Sequence, residues 1–293
     1  MLKDDFEITF FCIEISNSML LELDKNDFTC IQIEDESEFL NQLKHGIIAV
    51  LDGYHFTLQY QQQVKATGAT LVCIDDLHDK EFAADLIINH APGVKPDHYK
   101  AMPFTKYALG LEYVLLRPAF LEAAKQHRQI NKAETVLICF GGSDTKNLTQ
   151  YCLEVVLGFR GIHKIIVIIG SANDNYNNIH EFCKKHPKIE CYYAIDEYKM
   201  LELMQTAAIA IVPASGILME TLATGCEVIS GYYVDNQKNI YNGFNAIGAF
   251  SDAGDFSGLN TAFENVIKLK RQNREKLIDG NSAKRLVTIF KDL

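Results

Sequence analysis

This 293-residue chain has no tryptophan, no CxxC spacing among its eight cysteines, and no apolar run long enough to cross a bilayer. The cysteine spacing argues against a zinc site. Cys12, Cys73 and Cys139 sit inside apolar strand-like runs, and Cys30, Cys152, Cys183, Cys191 and Cys226 are scattered elsewhere. That is the pattern of buried free thiols in a reducing cytoplasm. Basic residues are the minority, 28 against 38 acids, for a net charge of −10. The balance argues against a nucleic-acid groove, which needs clustered Lys and Arg. A bound phosphate would have to be held locally, by backbone groups and dipoles more than by a basic field. The chain opens Met1-Leu2-Lys3-Asp4-Asp5, with acids where a signal peptide carries a basic region. No short repeat and no low-complexity segment is present.

What is there is ordinary globular material: 48% apolar and 23% charged residues, in a length that suits two ordinary domains or one large one. Strand-like runs alternate with helical stretches. Ile8–Ile13, Gly46–Asp52, Thr70–Asp75 and Leu86–Asn89 read as strands, with a polar-apolar stretch at Thr57–Thr67. The second half repeats the pattern with strands at Thr135–Phe140, Lys164–Gly170, Ile189–Tyr193, Ala208–Val212 and Glu227–Gly231. Its helices are expected at Lys146–Leu157, Ile179–His186, Lys199–Thr206, Gly216–Thr224 and Leu259–Leu269. Continuous apolar strands separated by helices predict parallel sheets covered on both faces. The expected architecture is α/β, two doubly wound Rossmann-like domains, 1–126 and 127–293, facing a cleft. Their join is the polar stretch Leu121–Ala133, and ligands are expected at the strand C-termini.

Phe140-Gly141-Gly142-Ser143-Asp144 lies between a strand and a helix. Such a turn aims backbone N–H groups, and the positive end of the helix dipole, at one point. Two glycines let a bulky anion come close, and Asp144 can cap the helix. The simplest occupant is a phosphate; the alternative is a tight capped turn with no ligand. Pro213-Ala214-Ser215-Gly216 repeats the arrangement, and Glu220 follows one turn into the next helix, placed to accept two hydroxyl hydrogen bonds from a ribose. The alternative there is an ordinary first-turn acid. Asn236 and Gln237, past the next strand, supply donors and acceptors suited to a sugar, or are an ordinary polar loop. In the first half, Asp52-Gly53-Tyr54-His55 and Asp75-Asp76 end strands. His55 can do acid–base work, or is a surface histidine, and Asp75-Asp76 can also be a turn with a helix cap.

Taken together, these segments resemble the UDP-sugar hydrolases of the pseudaminic-acid pathway, relatives of the MurG-type transferases with the GT-B fold. The resemblance rests on Phe140–Asp144 with Asn147-Leu148-Thr149, on Ile74–Leu77, Ala84–Asn89 and Gly110–Phe120, and on Ser215–Gly225 and Asp235–Gln237. It implies cleavage of the sugar C1–O bond of UDP-2,4-diacetamido-2,4,6-trideoxy-β-L-altropyranose, releasing UDP and free sugar. It implies that Gly142, Ser143, Ser215 and Gly216 hold the diphosphate and Glu220 the ribose, with Tyr54, Asn236 and Gln237 near the sugar. No cofactor or metal is expected. The expected partner is the UDP-sugar, with neither nucleic acid nor a membrane anchor, and the expected state is a cytoplasmic monomer.

One departure matters. The family opens with a strand and a Gly-x-Gly-His-x-x-Arg loop whose histidine is the expected base, and this sequence contains no such motif. Met1–Asp4 resembles the end of the helix that follows that loop. The first domain is therefore expected to lack its first strand, and the reading frame is expected to continue upstream. The catalytic residue stays unassigned, with His55, Asp52 and Asp75 as nearby substitutes. The chain beginning at Met1 is expected to bind UDP weakly and to turn over little. A GT-B glycosyltransferase and a UDP-sugar-binding homologue without turnover stay open as alternatives.

Overall fold

The computed structural model describes residues 1–130, 132–268 and 276–293, which fall into two compact units. The first comprises 1–90, 94–113 and 283–293. It begins with β1 (Thr9–Cys12), α1 (Asn17–Lys25), β2 (Thr29–Gln32), α2 (Glu36–Gln42), β3 (Ile48–Asp52), α3 (Leu58–Ala66) and β4 (Thr70–Ile74). It continues through β5 (Glu81–Phe82), β6 (Leu86–Asn89), β7 (Lys100–Ala101) and β8 (Lys106–Leu109). Each of the three helices starts at a polar cap, where Ser16, Asp35 and Thr57 accept from the N–H groups of Met19, Ser37 and Tyr60. β3, β4, β6 and β8 form one parallel sheet in that order. Ala49, Leu51, Leu71, Cys73 and Ile87 pack with Val64 and Phe82 into its core. β1 pairs with β2 in a separate parallel ribbon, and β5 with β7. Among the described residues, the outer edge of β3 has no neighbouring strand, and Val50 in its middle is 42% exposed.

The second unit comprises 91–93 and 114–282. It holds α4 (Pro118–Lys125), β9 (Thr135–Cys139), α5 (Leu148–Leu157), β10 (Lys164–Ile169), α6 (Tyr176–Lys184), β11 (Ile189–Tyr193), α7 (Glu197–Thr206) and β12 (Ile209–Pro213). α8 (Gly216–Ala223), β13 (Glu227–Gly231), α9 (Lys238–Ala246), β14 (Ser251–Asp252) and α10 (Leu259–Lys268) follow. Six parallel strands run in the order β11-β10-β9-β12-β13-β14. Their β-branched residues, Val136, Ile138, Ile165, Val167, Ile209, Ile211 and Ile229, are buried against Leu153 and Val156 of α5 and Phe263 of α10. Each such side chain contributes about 1.5–3 kcal/mol by leaving water.

The division differs from the expected break after 126 at both ends. α4 packs on α7 and α8, so the second unit takes the chain from Val114. The last helix, α11 (Ser282–Lys291), lies almost entirely in the first unit. Phe290 stacks edge-on against Phe6 at 6.1 Å, Lys291 pairs with Asp5, and Lys106 donates to the Asp292 carbonyl at 3.3 Å. The expected helical join Leu121–Ala133 is helical only through Lys125, and its Asn131 lies outside the described residues. Leu269, the expected end of the last helix of the second half, also lies outside them.

Candidate nucleotide site

The strand order of the second unit reverses between β9 and β12. From β9 the chain builds outward through β10 and β11, then returns to β12 and builds the other way through β13 and β14. β9 and β12 are hydrogen-bonded neighbours, Val136 opposite Ile209 and Ile138 opposite Ile211. The segments leaving their C-terminal ends stand at a reversal of strand order, the place where open parallel sheets bind ligands. The two motifs singled out in the sequence, Gly141–Ser143 and Ser215–Gly216, are those two segments.

The first is longer than a tight turn. α5 begins at Leu148, two residues later than expected, because Asp144 and Asn147 both take left-handed backbone conformations, φ 45° and 53°. The buried Asp144 carboxylate accepts from the N–H of Leu148 and of Thr149, each at 2.8 Å. The capping part of the expectation is therefore met, and it carries a consequence: a side-chain carboxylate already occupies the positive end of α5. What the segment offers an anion is the exposed backbone of Gly142 and Ser143. Its position is fixed from below by Gly170, just past β10. A Cβ there would lie 2.4 Å from the Gly141 carbonyl oxygen, so only glycine lets the turn settle so close.

α8 differs. Ser215, its N-cap residue, makes no side-chain capping bond, and the first turn carries no acid. The Ser215 N–H donates to the Pro213 carbonyl at 2.9 Å, so this expected phosphate donor is already engaged. The hydroxyl of Ser215 and the N–H groups that open the helix at the exposed Gly216 are what α8 presents.

Glu220 is not a solitary acid. Arg117 Nε donates to its Oε1 at 2.8 Å and Nη2 to its Oε2 at 3.0 Å. The same guanidinium lies 3.7 Å from Glu197 Oε2 and 3.4 Å from the Met200 sulfur, over the ring of the fully buried Phe120. Cys139, at the end of β9, lies close to this group. Its thiol is pushed up to about 11, chiefly by burial, with the charges of Glu220 and Asp144 adding and that of Arg117 opposing. Sequence reading gave Arg117 no role. The available signal was a basic residue held between Leu116 and Pro118 in an acidic chain.

Asn236 is exposed on a short 3-10 turn, free to meet a ligand. Gln237 points inward: it is buried, and its Oε1 accepts from the Tyr233 N–H at 3.0 Å. That bond leaves only part of its side chain for the expected sugar contact.

In the first unit, Tyr54 is exposed and its hydroxyl donates to Asp76 at 2.9 Å. Asp75 is buried and accepts from the Tyr99 hydroxyl at 3.0 Å and the His78 N–H at 2.8 Å. This is the expected turn, but no helix follows it to be capped, since β5 comes next. Burial pushes the Asp76 carboxyl up, the Tyr54 hydroxyl pulls it down, and the charges of Asp75 and Asp52 add to the rise. Desolvation also holds the Asp52 carboxyl above its usual range, although the residue as a whole is exposed. His55 is exposed, lies 2.9 Å from Glu36 and packs on Phe56. All eight cysteines are free, and five are buried. Among the described residues no His, Cys, Asp and Glu cluster suits a metal ion, and no helix is long and apolar enough to cross a membrane.

No protein-family model matches the chain. It is similar to an uncharacterized protein of Methanocaldococcus jannaschii, 26% identical over 250 residues, with 81% of this chain and 51% of that protein covered. The chain thus spans about half the length of that relative. It is also similar to the spore coat polysaccharide biosynthesis protein SpsG of Bacillus subtilis, 23% identical over its full length and 91% of that protein. Among solved structures it superimposes on Acinetobacter baumannii MurG with a TM-score of 0.65 at 13% identity, covering 99% of this chain and 92% of that one. The fold is GT-B-like. A UDP-GlcNAc 2-epimerase from M. jannaschii, in complex with UDP-GlcNAc and UDP, matches with a TM-score of 0.55 at 15% identity over 89% of this chain and 79% of that one.

Proposed function

We propose that the chain is a nucleotide-sugar enzyme that binds UDP at the strand-order reversal of its second unit and hydrolyses a UDP-linked diacetamido-trideoxy sugar at the anomeric C–O bond. The carrying observation is the convergence at that reversal of the exposed Gly142-Ser143 backbone, the uncapped start of α8 and the Glu220 carboxylate one turn further on. The likeness to a polysaccharide-biosynthesis protein and to a UDP-bound epimerase supports a nucleotide sugar. The sequence blocks shared with the hydrolases support water as the acceptor.

Water attacks C1 as the C1–O bond breaks, and the electron pair leaves with the diphosphate. Backbone N–H groups and the α8 dipole stabilise that growing charge. A base must take a proton from the water.

The test is incubation with a panel of UDP-sugars in EDTA, without acceptor, following UDP and sugar. Release of UDP with free sugar supports hydrolysis, and should persist in EDTA. Release only with an added acceptor would make the chain a transferase. Interconversion of the sugar with UDP still attached would make it an epimerase, and binding without turnover a UDP-sugar-binding protein.

A further inference from the structure

We propose that Cys191 and Cys183 form a thiol–disulfide exchange site in the second unit, Cys191 the attacking sulfur and Cys183 the resolving one. Its reactant is a low-molecular-weight disulfide of the glutathione type. Residues 185–188 turn the chain from the end of α6 into β11. Along α6, Tyr176, Ile179 and Cys183 recur at helical spacing and share one face. Along β11, Ile189, Cys191 and Tyr193 alternate with their neighbours and share one face of the strand. The two faces meet: the Tyr176 and Tyr193 ring centroids are 4.2 Å apart, and Ile179, Cys183, Ile189 and Cys191 pack in one apolar cluster. From that ring contact, Cys183 stands about 10 Å back along the helix and Cys191 about 7 Å back along the strand. Helical side chains lean toward the helix N-terminus, which narrows the difference and brings the Cys183 thiol toward the Cys191 sulfur. The two side chains are hydrogen-bonded.

The two thiols are unequal. Cys183 is buried, and its thiol is pushed well up, first by donating to Cys191 and then by burial. Cys191 is half-buried on the edge strand of the sheet, and the proton offered by Cys183 holds its thiol below the ordinary range against the cost of burial. At Cys73, Cys139 and Cys152 burial is the larger effect and pushes the thiol up. A reachable thiolate backed by a second thiol is what disulfide exchange needs. The Cys191 thiolate attacks one sulfur of the small disulfide, whose S–S bond breaks. The first glutathione leaves as a thiolate and takes up the proton that Cys191 lost. The Cys183 thiolate then attacks the Cys191 sulfur and expels the second glutathione, which takes up the proton of Cys183. Two protein thiols are oxidised to one disulfide, and one small disulfide is reduced to two thiols.

Incubation of the full chain with oxidised glutathione, quenching with iodoacetamide and peptide mapping by mass spectrometry test this. The expected product is a peptide bridged between Cys183 and Cys191, with two of the eight thiols lost and dithiothreitol restoring both. In Cys183→Ala the reaction should stop with glutathione held on Cys191. In Cys191→Ser, Cys183 should remain a free thiol. Should either variant not fold, the wild-type time course reads the same roles: a glutathione adduct on Cys191 that gives way to the bridge supports them, and an adduct on Cys183 reverses them and overturns the proposal. Glutathione that persists on Cys191 in the wild type, with no bridge, would remove Cys183 as the resolving thiol and overturn it as well. So would glutathione on the half-buried Cys12 or Cys30 while Cys183 and Cys191 both stay free.

Discussion

Two glycine-to-alanine substitutions separate what holds the Gly141–Ser143 turn from what the turn holds. A Cβ on Gly170 would stand 2.4 Å from the Gly141 carbonyl oxygen, 2.5 Å from that of Gly142 and 2.6 Å from the Gly142 Cα. Ordinary contact begins at 3.4 Å, so the turn must retreat by about 1 Å (3.4 − 2.4). The clashing atoms are backbone and cannot rotate aside. Overpacking of this kind costs about 1–3 kcal/mol, which for a unit of this size lowers the melting temperature by roughly 2–12 °C. At Gly142 itself an added Cβ meets nothing within 4 Å, and the φ angle lies outside the left-handed region. Gly142→Ala should therefore keep the wild-type stability to within about 0.5 kcal/mol. Its methyl occupies the space proposed for the diphosphate, so UDP affinity should fall by about tenfold or more, roughly 1.4 kcal/mol. Gly170→Ala should lower both melting temperature and affinity. Differential scanning calorimetry and isothermal titration read the two quantities. A Gly142→Ala protein that binds UDP like the wild type would detach the turn from the diphosphate. A Gly170→Ala protein that melts with the wild type would refute the close approach of the turn to the end of β10.

Three further outcomes are expected. Glu220→Ala should weaken UDP binding by about 1.5–3 kcal/mol, the scale of a hydrogen bond to a charged group, and unchanged calorimetric affinity in the folded variant would remove the ribose role. Asp144→Ala strips both capping bonds from α5 and should cost about 1–2 kcal/mol in urea denaturation, whereas Asp144→Asn, which keeps an acceptor and tolerates the left-handed backbone, should cost less. The folded state holds the Asp52 proton more tightly than the unfolded chain, so the group opposes folding once pH rises above the ordinary carboxylate range. Asp52→Asn should accordingly raise the melting temperature at pH 7 and leave it unchanged near pH 3, below the unfolded carboxylate pKa of about 3.9; an equal effect at both pH values would show that the cause is not ionisation.

The parallel sheet of the second unit was legible because its strands are short apolar runs, rich in β-branched or aromatic residues and bounded by glycine and polar turns. Thr135–Cys139, Ile189–Tyr193 and Glu227–Gly231 fall almost where their composition puts them. β2 and β8 were not legible: Thr29–Gln32 and Lys106–Leu109 are four residues each, TCIQ and KYAL, too short and irregular for a hydrophobic period to show. The domain break was misplaced because the polar residues after Leu121 resemble a linker, while the apolar face of α4 that joins it to α7 and α8 is visible only in three dimensions. At the site, the glycine turns could be read locally, since a turn's requirement is written in its own residues. The pairing of Arg117 with Glu220 spans 103 positions, and the engagement of Gln237 by Tyr233 depends on how the chain folds back after β13. Neither leaves a periodic trace.

The bare flank of β3 also bears on how the protein behaves in solution. Ile48–Leu51 is a row of apolar residues with no lysine, proline or bulge to deter a visiting strand, and the one charge, Asp52, stands at its far end. Such an edge is a template for any extended chain, including another copy. The common charge of −10 sets copies against one another, a repulsion that reaches about 10 Å at 0.1 M salt and only about 3 Å at 1 M. Concentrated salt would screen that repulsion and so lower the barrier to strand-by-strand aggregation.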